Sequence, residues 1–141
     1  MLCQLILQDR PFSDQIEEVL DVSFFEQTDE SKALYDKLII CESKDFAQSI
    51  YKINTDFDIL ISNHNIEHCE DPQSTFSAMV DRTKVGGVLF FATPSLNSIN
   101  FPSRGGGLNF YDDPTHVHPV DLIKLFNSES HRLECTYYQK S

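Results

Sequence analysis

The residues best suited to chemistry fall in two histidine-containing segments, and the first is HNIEH at 64–68. Its H-x-x-E-H spacing matches the inverted zinc-protease motif, in which two helical histidines hold zinc and the glutamate acts as a base. That motif needs a helix, whereas an apolar strand pattern leads directly into His64. No third acidic ligand is recognisable by motif. The sequence therefore predicts no metal site here.

The second segment is THVHP at 115–119, which places His116 and His118 one residue apart. Alternate residues of an extended chain point to opposite sides, so we expect one of these histidines to pack and the other to be exposed. A histidine can serve as a general base because its ordinary pKa lies near neutrality. His116 and His68 are therefore the catalytic candidates. The preceding Tyr111, Asp112 and Asp113 are either acceptor contacts or turn formers.

A strand–helix–strand unit must position the first segment. Residues 57–62 and 88–92 form short apolar runs typical of buried strands. Between them, Asp71-Pro72 begins a helix with Phe76, Met79 and Val80 on its apolar face, and Gly86-Gly87 is expected to end it. Such a βαβ unit has parallel strands, and ligands bind at the carboxyl ends of parallel strands. Asn63-His64 and Thr93-Pro94 occupy those ends.

The other segments alternate between strand and helix patterns. Strands are predicted at 37–41 and 132–138, and helices at 30–36, 45–52 and 120–126. Residues 2–8 fit either the end of an amphipathic helix or a short strand, and residues 15–23 fit either a helix or a strand ending near Asp21. A long irregular stretch at about 95–118 is expected to be a lid or acceptor loop. The order predicts one α/β domain over 1–141 with a mainly parallel sheet.

Composition excludes several classes of partner. The 141 residues carry a net charge of −11 and have a pI near 4.6. Direct nucleic-acid binding needs clustered basic residues, and an anionic membrane surface also attracts them, so neither partner is expected. The four cysteines form no C-x-x-C pair and no disulfide framework. The first ten residues lack a basic n-region typical of a signal peptide. We expect a cytoplasmic protein.

Three stretches carry a resemblance to a known family. They are FDILISNHNIEHCEDP at 57–72, KVGGVLFFATPS at 84–95 and YDDPTHVHP at 111–119. Together they resemble the C-terminal half of class I S-adenosylmethionine-dependent methyltransferases, in which the first two form strand four and strand five. The resemblance implies a Rossmann-like methyltransferase sandwich and methyl transfer from S-adenosylmethionine to a small-molecule acceptor, with S-adenosylhomocysteine as product.

The resemblance also implies which residues would bind the cofactor. In the family, an acidic residue at the end of strand two, often in a D-x-S triplet, binds the ribose hydroxyls, and Asp21 with Ser23 matches it. An acid after strand three commonly meets the adenine amino group, and Glu42 stands there. Asn63 and His64 follow strand four, where cofactor and acceptor meet. Carboxylates suit the first two roles because they only accept hydrogen bonds.

The family's glycine-rich loop after strand one has no counterpart before Asp21, because the first glycine of the chain is Gly86. The domain is therefore expected to be truncated at its N-terminus. The alternative function is a non-catalytic methyltransferase-like module used for association. Loss of strand one would leave strand edges unpaired, which predicts an oligomer or other partner on the exposed edge, a remnant of chain that fills the gap, or a poorly stable domain.

Overall fold

A computed structural model describes residues 2–8, 37–103 and 109–136 of the chain. Its strands are β1 (Leu2–Gln8), β2 (Lys37–Glu42), β3 (Phe57–Asn63) and β4 (Thr83–Ala92), and its helices are α1 (Phe46–Tyr51), α2 (Pro72–Asp81) and α3 (Leu122–Ser128). Short 3₁₀ turns cover Ser43–Asp45, Ile66–His68, Leu96–Asn100 and Phe110–Asp112. Two predicted cofactor residues, Asp21 and Ser23, lie outside the described residues, as do the segments predicted at 15–23 and 30–36.

The four strands form one sheet in the order β2-β1-β3-β4. β1 pairs antiparallel with both β2 and β3, while β3 and β4 pair in parallel. Thus β2, β3 and β4 all run in one direction, as expected for an α/β fold, and β1 alone runs against them. The prediction of a mainly parallel sheet is wrong at the level of pairing, because only one of the three strand pairings of the described sheet is parallel.

The segment at 2–8, which the sequence left open, is a strand that lies between β2 and β3. Its pairings run from Leu2 opposite Glu42 to Leu7 opposite Lys37 on one side, and from Ile6 opposite Ile61 on the other. A strand paired on both sides is consistent with an apolar run rather than a strict alternation. β1 therefore fills the position between β2 and β3, and a piece of the same chain pairs with both of them.

The predicted βαβ unit is confirmed. Ile59, Leu60, Ile61 and Ser62 are all buried, so both faces of β3 are covered. Asp71 caps α2 by accepting a hydrogen bond from the Ser74 amide at 2.9 Å, and Pro72 stands in the first turn, where its missing N–H costs nothing. The expected core face of α2 is buried at Phe76, Met79 and Val80.

Gly86 and Gly87 do not end α2 as predicted, because the helix already stops at Asp81 and both glycines lie within β4. The register against β3 jumps from Phe57 opposite Thr83 to Ile59 opposite Val88, so residues 84–87 bulge from the ladder. Gly86 has a φ of 80°, which glycine adopts without strain. A Cβ on Gly87 would lie 2.7 Å from the Asp58 carbonyl oxygen, so this approach also requires glycine.

Helix α3 packs on the same layer as α2. Leu125 and Val120 join Ile66, Phe76 and Val80 in one apolar cluster. Two polar contacts also link α2 to the segment that follows α3. The Ser77 hydroxyl donates to Glu129 at 2.6 Å, and Arg132 pairs with Asp81 at 2.7 Å. These contacts fix the position of α3, and through it the loop that precedes α3.

The strand predicted at 132–138 does not form over residues 132–136, the part of it that the structure describes. Arg132 ends a turn, and residues 133–136 have no regular structure. The alternation of Leu133 and Cys135 suggested a strand, but a strand also requires a hydrogen-bonded neighbour, and this segment pairs with none of the four described strands.

In the described parts of the chain, no helix combines the length and the apolar character needed to cross a membrane.

Candidate functional site

The topology brings the carboxyl ends of three strands to one edge of the sheet. Because β2, β3 and β4 share a direction, Glu42, Asn63 and Ala92 end at that edge, and Asn63 lies opposite Ala92 in the ladder. The His64 amide extends the pairing by donating to the Ala92 carbonyl at 2.9 Å. This is the edge at which open α/β sheets bind ligands.

His64 makes the turn out of β3 in a left-handed conformation, with a φ of 52°. Few non-glycine residues adopt this region, which costs on the order of 1 kcal/mol or more and persists only where surrounding contacts hold it. The contact here is to Glu67, whose Oε1 lies 3.1 Å from His64 Nδ1. The strained turn and this contact together place the His64 ring beside the end of the sheet.

Glu67 is the centre of the site. Its side chain is fully buried, and its second oxygen, Oε2, accepts a hydrogen bond from the Thr93 hydroxyl at 3.1 Å. Its backbone carbonyl accepts from the amides of Val117 and His118, at 2.8 and 3.2 Å. One residue therefore ties together the end of β3, the end of β4 and the loop that carries the second histidine segment.

His68 lies next to Glu67 and is buried, with 3% of its surface exposed. Its Nδ1 lies 3.0 Å from the Thr115 carbonyl oxygen and 3.1 Å from Thr115 Oγ1. The Thr115 hydroxyl donates its hydrogen to Asp113 at 2.5 Å, so both groups facing Nδ1 are acceptors. His68 is therefore assigned the tautomer with hydrogen on Nδ1, which leaves the lone pair on Nε2.

His116 packs against His68, with 4.8 Å between the ring centroids, and against Phe110, with 4.5 Å. Its Nδ1 lies 2.6 Å from the Phe110 carbonyl oxygen, which can only accept, so Nδ1 carries the hydrogen. Nε2 then offers its lone pair, with Asp113 Oδ2 3.7 Å away. Both histidines consequently carry their lone pair on Nε2.

Two ionisable groups with shifted pKa values, His64 and Asp113, border this cluster. The hydrogen bond to Glu67 raises the pKa of His64, against the opposing effect of partial burial. The hydrogen bond from the Thr115 hydroxyl holds the pKa of Asp113 below its usual value. The contact with Glu67 therefore favours the protonated form of His64, and the contact with Thr115 favours the ionised form of Asp113.

The structure brings together four of the predicted site residues. Asn63 and His64 end β3, and the two catalytic candidates, His68 and His116, are in ring contact. His116 is partly buried and His118 is exposed, which confirms the expected division of this pair.

Glu42 stands apart from the other predicted residues because β1 separates β2 from β3. Its carboxylate is exposed and pairs with Lys44 at 2.7 Å, and this hydrogen bond lowers the pKa of Glu42. From the strand spacing and register, Glu42 lies on the order of 12 Å from Asn63 along the edge. The structure therefore leaves Glu42 on the predicted edge but outside the histidine cluster.

Glu67 and Thr115 are not among the predicted site residues, and Thr93 is predicted only as one of the residues at the ligand-binding strand ends. Thr93 had a signal, since it directly follows the second strand of the βαβ unit. Glu67 had the H-x-x-E-H spacing, but that spacing points to a helix, and here Ile66–His68 is a 3₁₀ turn. Thr115 had no signal, because its role depends on a contact with His68 that no local pattern encodes.

The geometry is therefore that of a buried carboxylate, two histidines with their lone pairs on Nε2 and a polar strand end, all at the carboxyl edge of the sheet. Compared with protein families, curated proteins and solved structures, the chain shows no match.

Proposed function

We propose that the protein is a Rossmann-like class I methyltransferase that transfers a methyl group from S-adenosylmethionine to a small-molecule acceptor. The observation that carries the proposal is the common direction of β2, β3 and β4, whose carboxyl ends meet at one edge beside Asn63 and His64. The sequence resemblance assigns cofactor binding to this same edge. The reversed strand β1 is the feature that departs most from the family's pattern.

The residues at the edge fit the polar groups of the cofactor. Ribose hydroxyls and the adenine amino group can donate hydrogen bonds, and Glu42 and Asn63 offer acceptors at separate points along the edge. The Glu42 carboxylate is exposed, so a ligand donor can replace Lys44 at little cost. Asp21 and Ser23 enter the proposal through the resemblance alone.

Methyl transfer asks little chemistry of the protein beyond alignment of donor and acceptor and exclusion of water. The buried Glu67 holds the 113–118 loop against the strand end, which gives the acceptor side of the site a fixed wall. His68 and His116 would contact the acceptor through Nε2, the nitrogen able to take a proton from an acceptor hydroxyl.

Calorimetric titration of the full chain with S-adenosylmethionine tests this proposal. We expect saturable binding that weakens at least about tenfold in Asn63→Ala and Asp21→Ala, since each removes a polar contact. Asp56→Ala is the matched control, because Asp56 precedes β3 at the opposite edge and pairs with Arg82. No heat at millimolar cofactor, with the chain folded by circular dichroism, would support the non-catalytic module instead.

A further inference from the structure

We propose that Glu67, His68 and His116 form a binding site for a divalent transition-metal ion of the zinc class. Each residue offers one donor atom, and the three donors all lie within 4.8 Å of one another. Imidazole nitrogen and carboxylate oxygen are ligands that Zn²⁺ accepts. The H-x-x-E-H spacing would pair His64 with His68, whereas the fold pairs His68 with His116.

The protonation of the histidines supports this assignment. Histidines that bind a metal usually donate their other ring N–H to a carbonyl or carboxylate, which fixes the tautomer and the ring orientation. His68 Nδ1 lies 3.0 Å from the Thr115 carbonyl, and His116 Nδ1 lies 2.6 Å from the Phe110 carbonyl. Both rings are therefore held with the Nε2 lone pair available to an ion.

The carboxylate keeps capacity for an ion as well. Among the residues that the structure describes, each Glu67 oxygen has one partner, His64 for Oε1 and Thr93 for Oε2. A carboxylate oxygen has about two lone-pair sites, so a bond to metal does not require either partner to leave. Full burial of Glu67 also favours a cation, because a buried carboxylate is costly unless it is paired.

The donors must move closer for an ion to bind. Metal–ligand bonds of about 2.0–2.2 Å place tetrahedral donors roughly 3.4 Å apart, which is closer than the 4.8 Å limit found here. Glu67 and His68 are fixed in the core, whereas His116 belongs to a loop with exposed neighbours, Val117 and His118. We expect the ion to draw the His116 side chain inward and to reinforce the hydrogen bonds that already hold the 113–118 loop to the Glu67 carbonyl.

The site stands on these contacts and does not depend on the proposed methyl transfer. It offers three protein ligands, so a water molecule or another ligand atom would complete a tetrahedral shell. With an ion bound, both Nε2 atoms are ligands and neither is a base. Metal binding and cofactor binding can therefore be measured separately, each in the absence of the other ligand.

The experiment uses the full chain after treatment with EDTA and its removal. Zn²⁺ is titrated by calorimetry, and Co²⁺ is added as a spectroscopic probe of the coordination shell. We expect one Zn²⁺ per chain, visible Co²⁺ bands typical of tetrahedral N/O ligation, and a thermal unfolding midpoint that rises by several degrees at saturating Zn²⁺.

Variants locate the ion. His116→Ala should weaken Zn²⁺ binding at least about tenfold, and Glu67→Gln should do the same while keeping the side-chain shape. His118→Ala is the matched control, because His118 lies two residues from His116 and is exposed. Equal Zn²⁺ affinity in His116→Ala and the unchanged chain would place the ion elsewhere and overturn the proposal. So would the absence of Zn²⁺ binding in a folded chain.

Discussion

At the scale of single residues, the buried carboxylate of Glu67 organises the candidate site. It holds His64 through Oε1 and Thr93 through Oε2, while its backbone carbonyl receives two amides of the 113–118 loop. Removing a partner from a buried polar group leaves that group unsatisfied, at a cost of about 1–3 kcal/mol. A substitution of Glu67 would therefore disturb the ends of both β3 and β4.

The first prediction concerns the ionisation of His64. Its raised pKa is caused chiefly by the hydrogen bond to Glu67, so Glu67→Gln should lower it toward the ordinary value near 6.5. Titration of the His64 ring protons by NMR in metal-free buffer measures this change. Thr93→Val is the matched control, because it removes the other partner of the carboxylate and keeps the Glu67–His64 pair. An equally raised pKa in Glu67→Gln would contradict the assigned cause.

The same shift fixes the sign of a pH effect on stability. The folded pKa of His64 lies above its unfolded value, so the pair contributes its full stabilisation below about pH 6.5 and loses it as pH rises through the folded pKa. The His64 side chain is 58% exposed. Solvent therefore screens the pair, and we expect a contribution below about 1 kcal/mol.

The local sequence pattern predicts only some of the side-chain contacts in the site. The His64–Glu67 contact spans three residues, and its spacing was visible in the H-x-x-E-H segment. The contact between His68 and His116 joins two distant segments, and it exists because α3 fixes the loop before it. Both histidines were named as candidates for their chemistry, but nothing in the sequence indicated that their rings would touch.

At the scale of elements, the bulge in β4 restricts which residues can occupy the strand that carries the site at its carboxyl end. Residues 84–87 leave the ladder between Thr83 and Val88, and the chain returns to pair with β3 all the way to Ala92. In the sequence the glycine pair indicates a helix end, because glycine commonly follows helices. Its role inside a strand depends on the approach of Gly87 to the Asp58 carbonyl, which the sequence does not reveal.

The second prediction tests that approach. Gly87→Ala would place a Cβ 2.7 Å from the Asp58 carbonyl oxygen and 2.9 Å from that of Lys84. Because both are backbone atoms, the strand must shift, and we expect a loss of about 1–3 kcal/mol in the free energy of unfolding. Chemical denaturation measures it. Val85→Ala is the control, since this side chain is fully exposed, and it should change stability by less than about 0.5 kcal/mol.

A result of equal stability for Gly87→Ala and Val85→Ala would show that the bulge tolerates a side chain. Gly86→Ala separates the effect of backbone conformation from the effect of steric contact. Gly86 has open space around its Cα but a φ of 80°. Its substitution should cost about 1–2 kcal/mol from backbone strain alone.

At the scale of the whole molecule, the sheet combines a predicted unit with an unpredicted strand. The βαβ unit of β3, α2 and β4 follows from apolar runs, a capped helix start and helical spacing, all of which are local signals. The antiparallel insertion of β1 is a long-range pairing, and strand direction leaves no trace in the pattern of a short apolar segment. The sequence could therefore indicate an α/β fold without indicating which strand stands at the centre of the sheet.

The position of β1 bears directly on the proposed function. It occupies the place between β2 and β3 while keeping their carboxyl ends at one edge. The amino end of β1, at Leu2, therefore lies opposite Glu42 on the edge where the cofactor is proposed to bind. The proposed methyl transfer requires the cofactor to bind at this edge.

The most direct test is mapping of backbone amide chemical shifts by NMR during titration with S-adenosylmethionine. We predict saturable shifts that are largest at Asn63, His64 and Thr93, with a smaller effect at Glu42. Residues at the opposite edge, such as Asp56 and Asp58, should not move. An absence of shifts at saturating cofactor, or shifts concentrated at Asp56 and Asp58, would contradict cofactor binding at the carboxyl edge of the sheet.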